Sequence, residues 1–321
     1  MNIKKIRYYE SLNYNPYINL SLEEKLMSLV GDDELIFYLW QNKDTVVIGK
    51  NQCAQDQCNL ELMKKNNITL ARRSSGGGAV YHDLGNLNFT FIAKKNNFDI
   101  NKNLEVIKKA LEVFNIKAYF SGRNDLLVDG FKISGQAYLN KKDVSLHHGT
   151  LLVNVDLVHL GKYLKKDDSK LKIHGVKSFH QRVNNLSAFS SDIDIEKIKG
   201  SLKDSVVKVF NAELTYQEIY DNELIEKYSS DSWLYKFTFD GVHIKKRFNY
   251  GLLDLNLKIV DNTIIKVLIN SDIMDFDIID EIEKILINQE FSNSLLDKIK
   301  LSNSTIENDL KEMLEEKLCT I

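Results

Sequence analysis

Arg72-Arg73-Ser74-Ser75-Gly76-Gly77-Gly78-Ala79-Val80-Tyr81-His82-Asp83 is the most informative stretch of the chain. Three consecutive glycines let the backbone turn tightly and bring its N–H groups against an anion with no Cβ in the way. Two arginines just ahead of them carry delocalised charge suited to a phosphate or a carboxylate. The glycines alone fit a hairpin turn with surface arginines at least as well. Known phosphate loops do not match: there is no Gly-Lys-Ser/Thr, and no G-x-G-x-x-G opens a helix, because Ala79 to His82 continues as a strand. Any anion here would therefore be held in a strand–loop–strand setting.

The flanking sequence has the same texture. Glu34 to Trp40, Thr45 to Ile48 and Ile68 to Arg72 read as strands, and Leu87, Phe89 and Phe91 alternate with Asn88 and Thr90. Further strands are expected at Leu126 to Val128, Phe131 to Tyr138 and His148 to Val155. Helical spacing appears in Leu22, Leu26 and Leu29, capped by Asn19 or Ser21, then in Leu104, Ile107, Leu111 and Phe114, and again from Ile195 to Val209. From residue 245 a hairpin turning at Asp261-Asn262 precedes two or three helices, the last opened by a capping box at Ser304 to Glu307. The expected fold is α+β: a large domain (1–244) with mainly antiparallel sheets flanked by helices, plus a small α+β C-terminal unit (245–321).

Composition narrows the classes. In 321 residues, 43% are hydrophobic and 27% charged, so wholesale disorder is excluded. A formal net charge of -2, with no basic stripe or helix-turn-helix signal, argues against a nucleic-acid partner. No apolar run approaches the ~18 residues of a membrane helix. The sparse cysteines Cys53, Cys58 and Cys319 and the lack of a signal-peptide pattern point to the cytoplasm.

Three more segments carry chemistry. In Phe131-Lys132-Ile133-Ser134-Gly135-Gln136-Ala137-Tyr138, strand alternation puts Lys132, Ser134 and Gln136 on one face. Lys132 can then be a fixed positive charge where negative charge develops, although an isolated lysine is more often a surface residue. Gly122-Arg123-Asn124-Asp125 offers Asn124 and Asp125 as oxygen donors for Mg²⁺, or simply a turn. His147-His148-Gly149-Thr150 invites a metal reading but lacks further ligands at usable spacing, so a structural or substrate-positioning role is expected.

In order along residues 19–190, the Arg72 to Asn86 stretch, Gly122 to Asp125, Lys132 to Gly135, His147 to Leu152, and Val176-Lys177-Ser178 with Arg182 to Leu186 resemble the lipoate–protein ligase family, within the broader biotin/lipoate ligases. The resemblance implies a ligase that uses ATP and Mg²⁺ to convert lipoate to lipoyl-AMP. It then passes the lipoyl group to a lysine of a lipoyl-domain acceptor, an E2 subunit or a glycine cleavage H protein. It further implies that Arg72, Gly77, Gly78, Ala79, Val80, Asn124, Asp125 and His148 hold the nucleotide or adenylate. Catalytic Lys132 would face the lipoyl carbonyl and phosphate, and Asp125 would meet the metal. Residues 165–182 correspond to the family's adenylate-covering segment. The unit after 245 matches the family's accessory domain, linked to adenylation, in position and size rather than motifs. The alternatives are a lipoyl or octanoyl transferase using a preformed adenylate or acyl-protein donor, and a non-catalytic lipoate-binding protein.

Overall fold

A computed structural model describes residues 3–121, 125–165, 183–218, 223–235, 240–273 and 276–319. Its main sheet has eight strands in the order β11-β1-β2-β6-β10-β9-β8-β7. These are β1 (Lys5–Glu10), β2 (Glu34–Trp40), β6 (Asn86–Lys94), β7 (Tyr119–Phe120), β8 (Asp125–Val128), β9 (Phe131–Lys141), β10 (Val144–Leu152) and β11 (Glu213–Tyr216). Only β1 pairs in parallel, with β2 and with β11; the remaining pairs of this sheet are antiparallel.

Both faces of the sheet are buried, which explains why β6 is closed to solvent along nearly its whole length. Leu87, Phe89 and Phe91 point to a core covered by Val106, Ile107 and Leu111 of α2 (Ile100–Glu112) and Ile198, Leu202 and Val206 of α3 (Ile195–Phe210). Burying each such side chain contributes roughly 1.5–3 kcal/mol. On the opposite face, α1 (Pro16–Leu29) lays Leu20, Leu22, Leu26 and Met27 against Ile36, Tyr38, Trp40 and Ile92. A small sheet of β3 (Thr45–Ile48), β4 (Thr69–Arg72) and β5 (Val80–His82), in the order β4-β3-β5, adds to this side.

Two expected helix details change. Asn15, ahead of Pro16, caps α1, because Asn19 lies inside the protein and donates to the carbonyls of Asn13 and Gln41. Leu29 is 45% exposed, the stripe having rotated off the core by the last turn.

The C-terminal unit is an antiparallel sheet of β12 (Val242–Phe248), β13 (Gly251–Val260) and β14 (Thr263–Asn270), covered by α4 (Phe276–Leu286) and α5 (Ser304–Leu318). Asn303, one residue before the expected cap, closes the N-terminus of α5. Leu253, Leu255 and Leu257 meet Ile278, Ile282, Leu310 and Leu314 in its core. Asp254 and Asn256, the polar positions of the alternation, are also buried, and Asp254 lines a narrow polar cleft shared with Gln52, Cys53 and Asp56.

Glu24 ties α1 to β9 and to the short helix Ile225–Ser229. Lys141 and Lys227 each donate to its carboxylate at 2.6 Å, and Tyr228 at 2.9 Å. Burial pushes the Glu24 pKa up, but the two lysines outweigh it and hold the pKa at about 2. A carboxyl depressed in the folded state stabilises fully above its unfolded pKa, and that stability is lost as pH falls toward 2. His82 and His147 act in the same direction. Burial, with help from neighbouring positive groups, lowers both to about 3, so the unfolded chain takes up their protons first as pH drops through about 6.5. Resistance to denaturant should therefore weaken from pH 6 downward. Glu24→Gln should flatten the part below pH 5 and cost about 1–2 kcal/mol at pH 7, discounted for the half-exposed lysines.

Candidate active site

The glycine loop leaves β4 after Arg72 and re-enters at β5, with β3 pairing to both strands. Gly77 has φ +83, a conformation that favours glycine, and space is open where a Cβ on Gly78 would stand. Arg73, fully inside, folds the loop over itself. Its Nε donates to Ser75 Oγ and the Gly76 carbonyl at 3.0 Å, and its terminal nitrogens reach Gly78 O at 2.8 Å and Gly76 O. Burial lowers its pKa to about 10, which leaves it charged at neutral pH. Ala79 and Val80 follow as partly buried residues packed against the apolar clusters on either side of the small sheet.

Arg72, expected on the nucleotide, is bonded within the protein. Its guanidinium is turned into the protein and bonded to five backbone carbonyls, those of Gly49, Lys50, Gln52, Trp233 and Leu234. A fork bonded in this way organises the backbone of two segments distant in sequence.

A buried polar chain runs beneath the loop. Ser75 Oγ lies 2.6 Å from His148 Nε2, and His148 Nδ1 lies 2.8 Å from Glu23 Oε1. Thr90 donates to the same carboxylate at 2.6 Å and accepts from the Trp40 indole at 3.1 Å. His82 joins from the side, with Nδ1 3.2 Å from Asn42 and its ring edge-on to Trp40. Burial, reinforced by Arg73 and His148, keeps His82 neutral. Strand alternation separates the paired histidines. His147 points the other way, stacked between Tyr138 and Phe91, with Nε2 2.7 Å from Gln136 Oε1. Glu23, Thr90 and Trp40 were not singled out by sequence. The available signal was Glu23 itself, a carboxylate three or four residues from Leu20, Leu26 and Met27 on the buried stripe of α1.

Lys132 reaches this face by a device that simple alternation cannot foresee. Leu126 pairs with Ser134 but Leu127 with Lys132, so Ile133 is an extra residue and the register shifts. A bulge of this kind re-aims the preceding side chain. Lys132 therefore shares a face with Gly135, whose ideal Cβ would stand 3.4 Å from Nζ, and not with Gln136 as expected. Gly135 N–H donates to Thr150 Oγ1 at 3.2 Å, and Thr150 lies two residues from His148 on the same strand face. Asp125, at the start of β8, holds Lys132 Nζ at 2.7 Å. Asn124 and most of the 165–182 segment lie outside the described residues.

One face of the sheet thus gathers Trp40, Thr90, His148, Thr150, Gly135 and Lys132, with the glycine loop pinned over it through Ser75. Phe89 faces the α2–α3 core on the other side of the sheet. Cys53 and Cys58 are buried, and desolvation raises the Cys58 thiol to about 12, which suits packing and not nucleophilic work. The arrangement supplies a glycine loop with open space beside Gly78 and a cation held by a carboxylate.

Comparison with known proteins matches residues 15–207 to the lipoyl protein ligase A/B catalytic domain and residues 239–321 to the bacterial lipoate protein ligase C-terminus. Lipoate-protein ligase A of Psychrobacter cryohalolentis is 37% identical, with 88% of each chain covered. That of Bdellovibrio bacteriovorus is also 37% identical, again over 88% of each. Among solved structures, P. falciparum LipL1 in complex with lipoate superposes with a TM-score of 0.84 at 32% identity, covering 96% of this chain and 98% of that one. A lipoate-protein ligase A bound with ATP gives a TM-score of 0.60 at 27% identity, over 73% of this chain and 98% of that one. The ligase of a bi-partite archaeal system from Thermoplasma acidophilum gives 0.61 at 29% identity, over 73% of this chain and 96% of that one.

Proposed function

Because the chain belongs to the lipoate–protein ligase A family, we infer that it is an ATP-dependent ligase that joins lipoate to a lysine of a lipoyl-domain protein. The observation that carries this reading is Lys132, turned by the bulge at Ile133 onto the sheet face over which the glycine loop is pinned.

In the first step a lipoate carboxylate oxygen attacks the α-phosphorus of ATP, and pyrophosphate leaves. This step needs alignment and charge neutralisation more than it needs a base. The Gly77, Gly78, Ala79 and Val80 backbone lies where it can hold the nucleotide, and Arg73 keeps the loop in shape from beneath. In the second step the acceptor amine attacks the carbonyl of lipoyl-AMP, the C–O bond to phosphate breaks and AMP departs. Lys132 Nζ stabilises the carbonyl oxygen as it gains charge. The nitrogen's proton must be lost, and the Asp125 carboxylate, 2.7 Å from Lys132, is a candidate to take it.

Mg²⁺ would meet Asp125 as its protein ligand. Among the described residues no group of three His, Cys, Asp or Glu side chains converges to form a dedicated cage. A single carboxylate with phosphate oxygens and water fits the way Mg²⁺ binds with nucleotides. The acceptor is an E2 lipoyl domain or an H protein, and the setting is the cytoplasm; no described helix is long and apolar enough to cross a membrane. His148 acts from under the loop through Ser75. The catalytic part is residues 1–244, and the unit from 245 serves activation.

Activation can be read without any acceptor. Protein mixed with ATP-Mg²⁺ should release pyrophosphate in a burst that depends on lipoate and matches the enzyme concentration. Lipoate-independent release would contradict the reading.

A further inference from the structure

Arg72 is the largest fully buried side chain among the described residues. Two segments distant in sequence converge on its guanidinium. Gly49, Lys50 and Gln52 present carbonyls at 3.0, 3.0 and 2.6 Å, and Trp233 and Leu234 at 2.7 and 2.6 Å. The Trp233 indole N–H returns a bond to the Arg72 carbonyl at 2.9 Å. Desolvation lowers the Arg72 pKa to about 10, so the cation persists at neutral pH.

The 49–52 loop that Arg72 holds has a neighbour on each side. Toward the site, Lys50 N–H donates to the Ser75 carbonyl at 2.8 Å, and a Cβ on Gly49 would stand 2.3 Å from the Gly77 oxygen. Toward the C-terminal unit, Ser271 N–H donates to the Asn51 carbonyl at 2.8 Å, and Lys50 Nζ lies 3.2 Å from Asp280 of α4. Gly49 leaves no slack against the glycine loop, because backbone and not a flexible side chain is what a Cβ would strike. A shift of the 49–52 loop therefore moves both partners.

We infer that Arg72 is a positioning residue for activation: by fixing the 49–52 loop it sets the glycine loop and the seat of the C-terminal unit in one register. The inference rests on the ligase reading given above. In-line attack at the α-phosphorus depends on that register, since about 1 Å of misplacement far from the chemistry can cost roughly 100-fold. Aminolysis of a finished adenylate depends chiefly on Lys132, which is carried by β9.

The test uses the full chain as wild type, Arg72→Gln, Asp280→Lys and the reversed pair Lys50→Asp/Asp280→Lys. Each is assayed for lipoate-dependent consumption of ATP, for transfer from presynthesised lipoyl-AMP to a lipoyl domain, and for amide hydrogen exchange. Arg72→Gln should lower ATP consumption by about 100-fold, change transfer less than about 3-fold, and speed exchange at Lys50 and Ser271. Asp280→Lys, on the surface, should lower only ATP consumption, by about 5-fold, and the reversed pair should restore it. Equal loss of both half-reactions in Arg72→Gln, or unchanged exchange at Ser271, overturns the inference. If Arg72→Gln does not fold, the surface series decides, and absence of a split there overturns it. A wild type inert toward lipoate would sink the ligase reading instead, while exchange at Ser271 would still report on the joint.

Discussion

Lys132→Ala should abolish lipoylation, by about 1,000-fold or more, while the fold survives. Removing one fixed group that stabilises developing charge costs about 100- to 1,000-fold in acyl transfer. In the proposed mechanism the same ammonium also meets the phosphate of the adenylate, so both half-reactions should suffer. The stability cost should be small, because Lys132 and Asp125 are partly exposed, at 22% and 31% of their side-chain surface. Such pairs contribute about 1 kcal/mol or less. Rate assays with ATP and with preformed lipoyl-AMP, beside a denaturation curve, check this. Turnover above about a tenth of wild type by the folded variant would remove Lys132 from the chemistry.

The second large effect belongs to Glu23. Its carboxylate is 1% exposed and bonds both His148 and Thr90. Glu23→Ala strands those two buried groups together, and breaking one partner of such an arrangement costs about 3–5 kcal/mol. Loss of the carboxylate also frees the His148 ring, and with it Ser75 and the loop above. The lipoate KM should therefore rise by about 10-fold or more, while transfer of an already bound adenylate falls less. Glu23→Gln keeps an acceptor oxygen in place and should recover most of the stability. A KM unchanged in Glu23→Ala would show that the chain from Trp40 to Ser75 does not shape the site.

These two residues also show what sequence could and could not reveal. Lys132 stands out in the sequence because its neighbours form a local pattern, Lys132-Ile133-Ser134-Gly135, whose identity does not depend on the rest of the fold. Its direction was not found, because a bulge is a property of two paired strands and only one of them was being read. Glu23 and His148 are 125 residues apart, and nothing in the sequence pairs them until α1 crosses β10. Arg72 is the reverse case. Its position beside the glycines points to phosphate, whereas its carbonyl partners at Trp233 and Leu234 lie 161 and 162 residues away and are invisible in the sequence. The strands and long helices were legible because one apolar face repeats at a period of two or near 3.6. Their ends moved where capping side chains such as Asn15 and Asn303 proved to be one or more residues from the expected caps.

The central claim is that this chain performs the whole sequence from lipoate and ATP to a lipoylated lysine. Intact-mass measurement of an unmodified lipoyl domain, incubated with the protein and lipoate, tests it directly when run with ATP-Mg²⁺, without nucleotide, and with presynthesised lipoyl-AMP. The account predicts one lipoyl addition with ATP-Mg²⁺ or with lipoyl-AMP and none without nucleotide. Addition from lipoyl-AMP alone would contradict the activation half, and no addition under any condition would contradict the account as a whole.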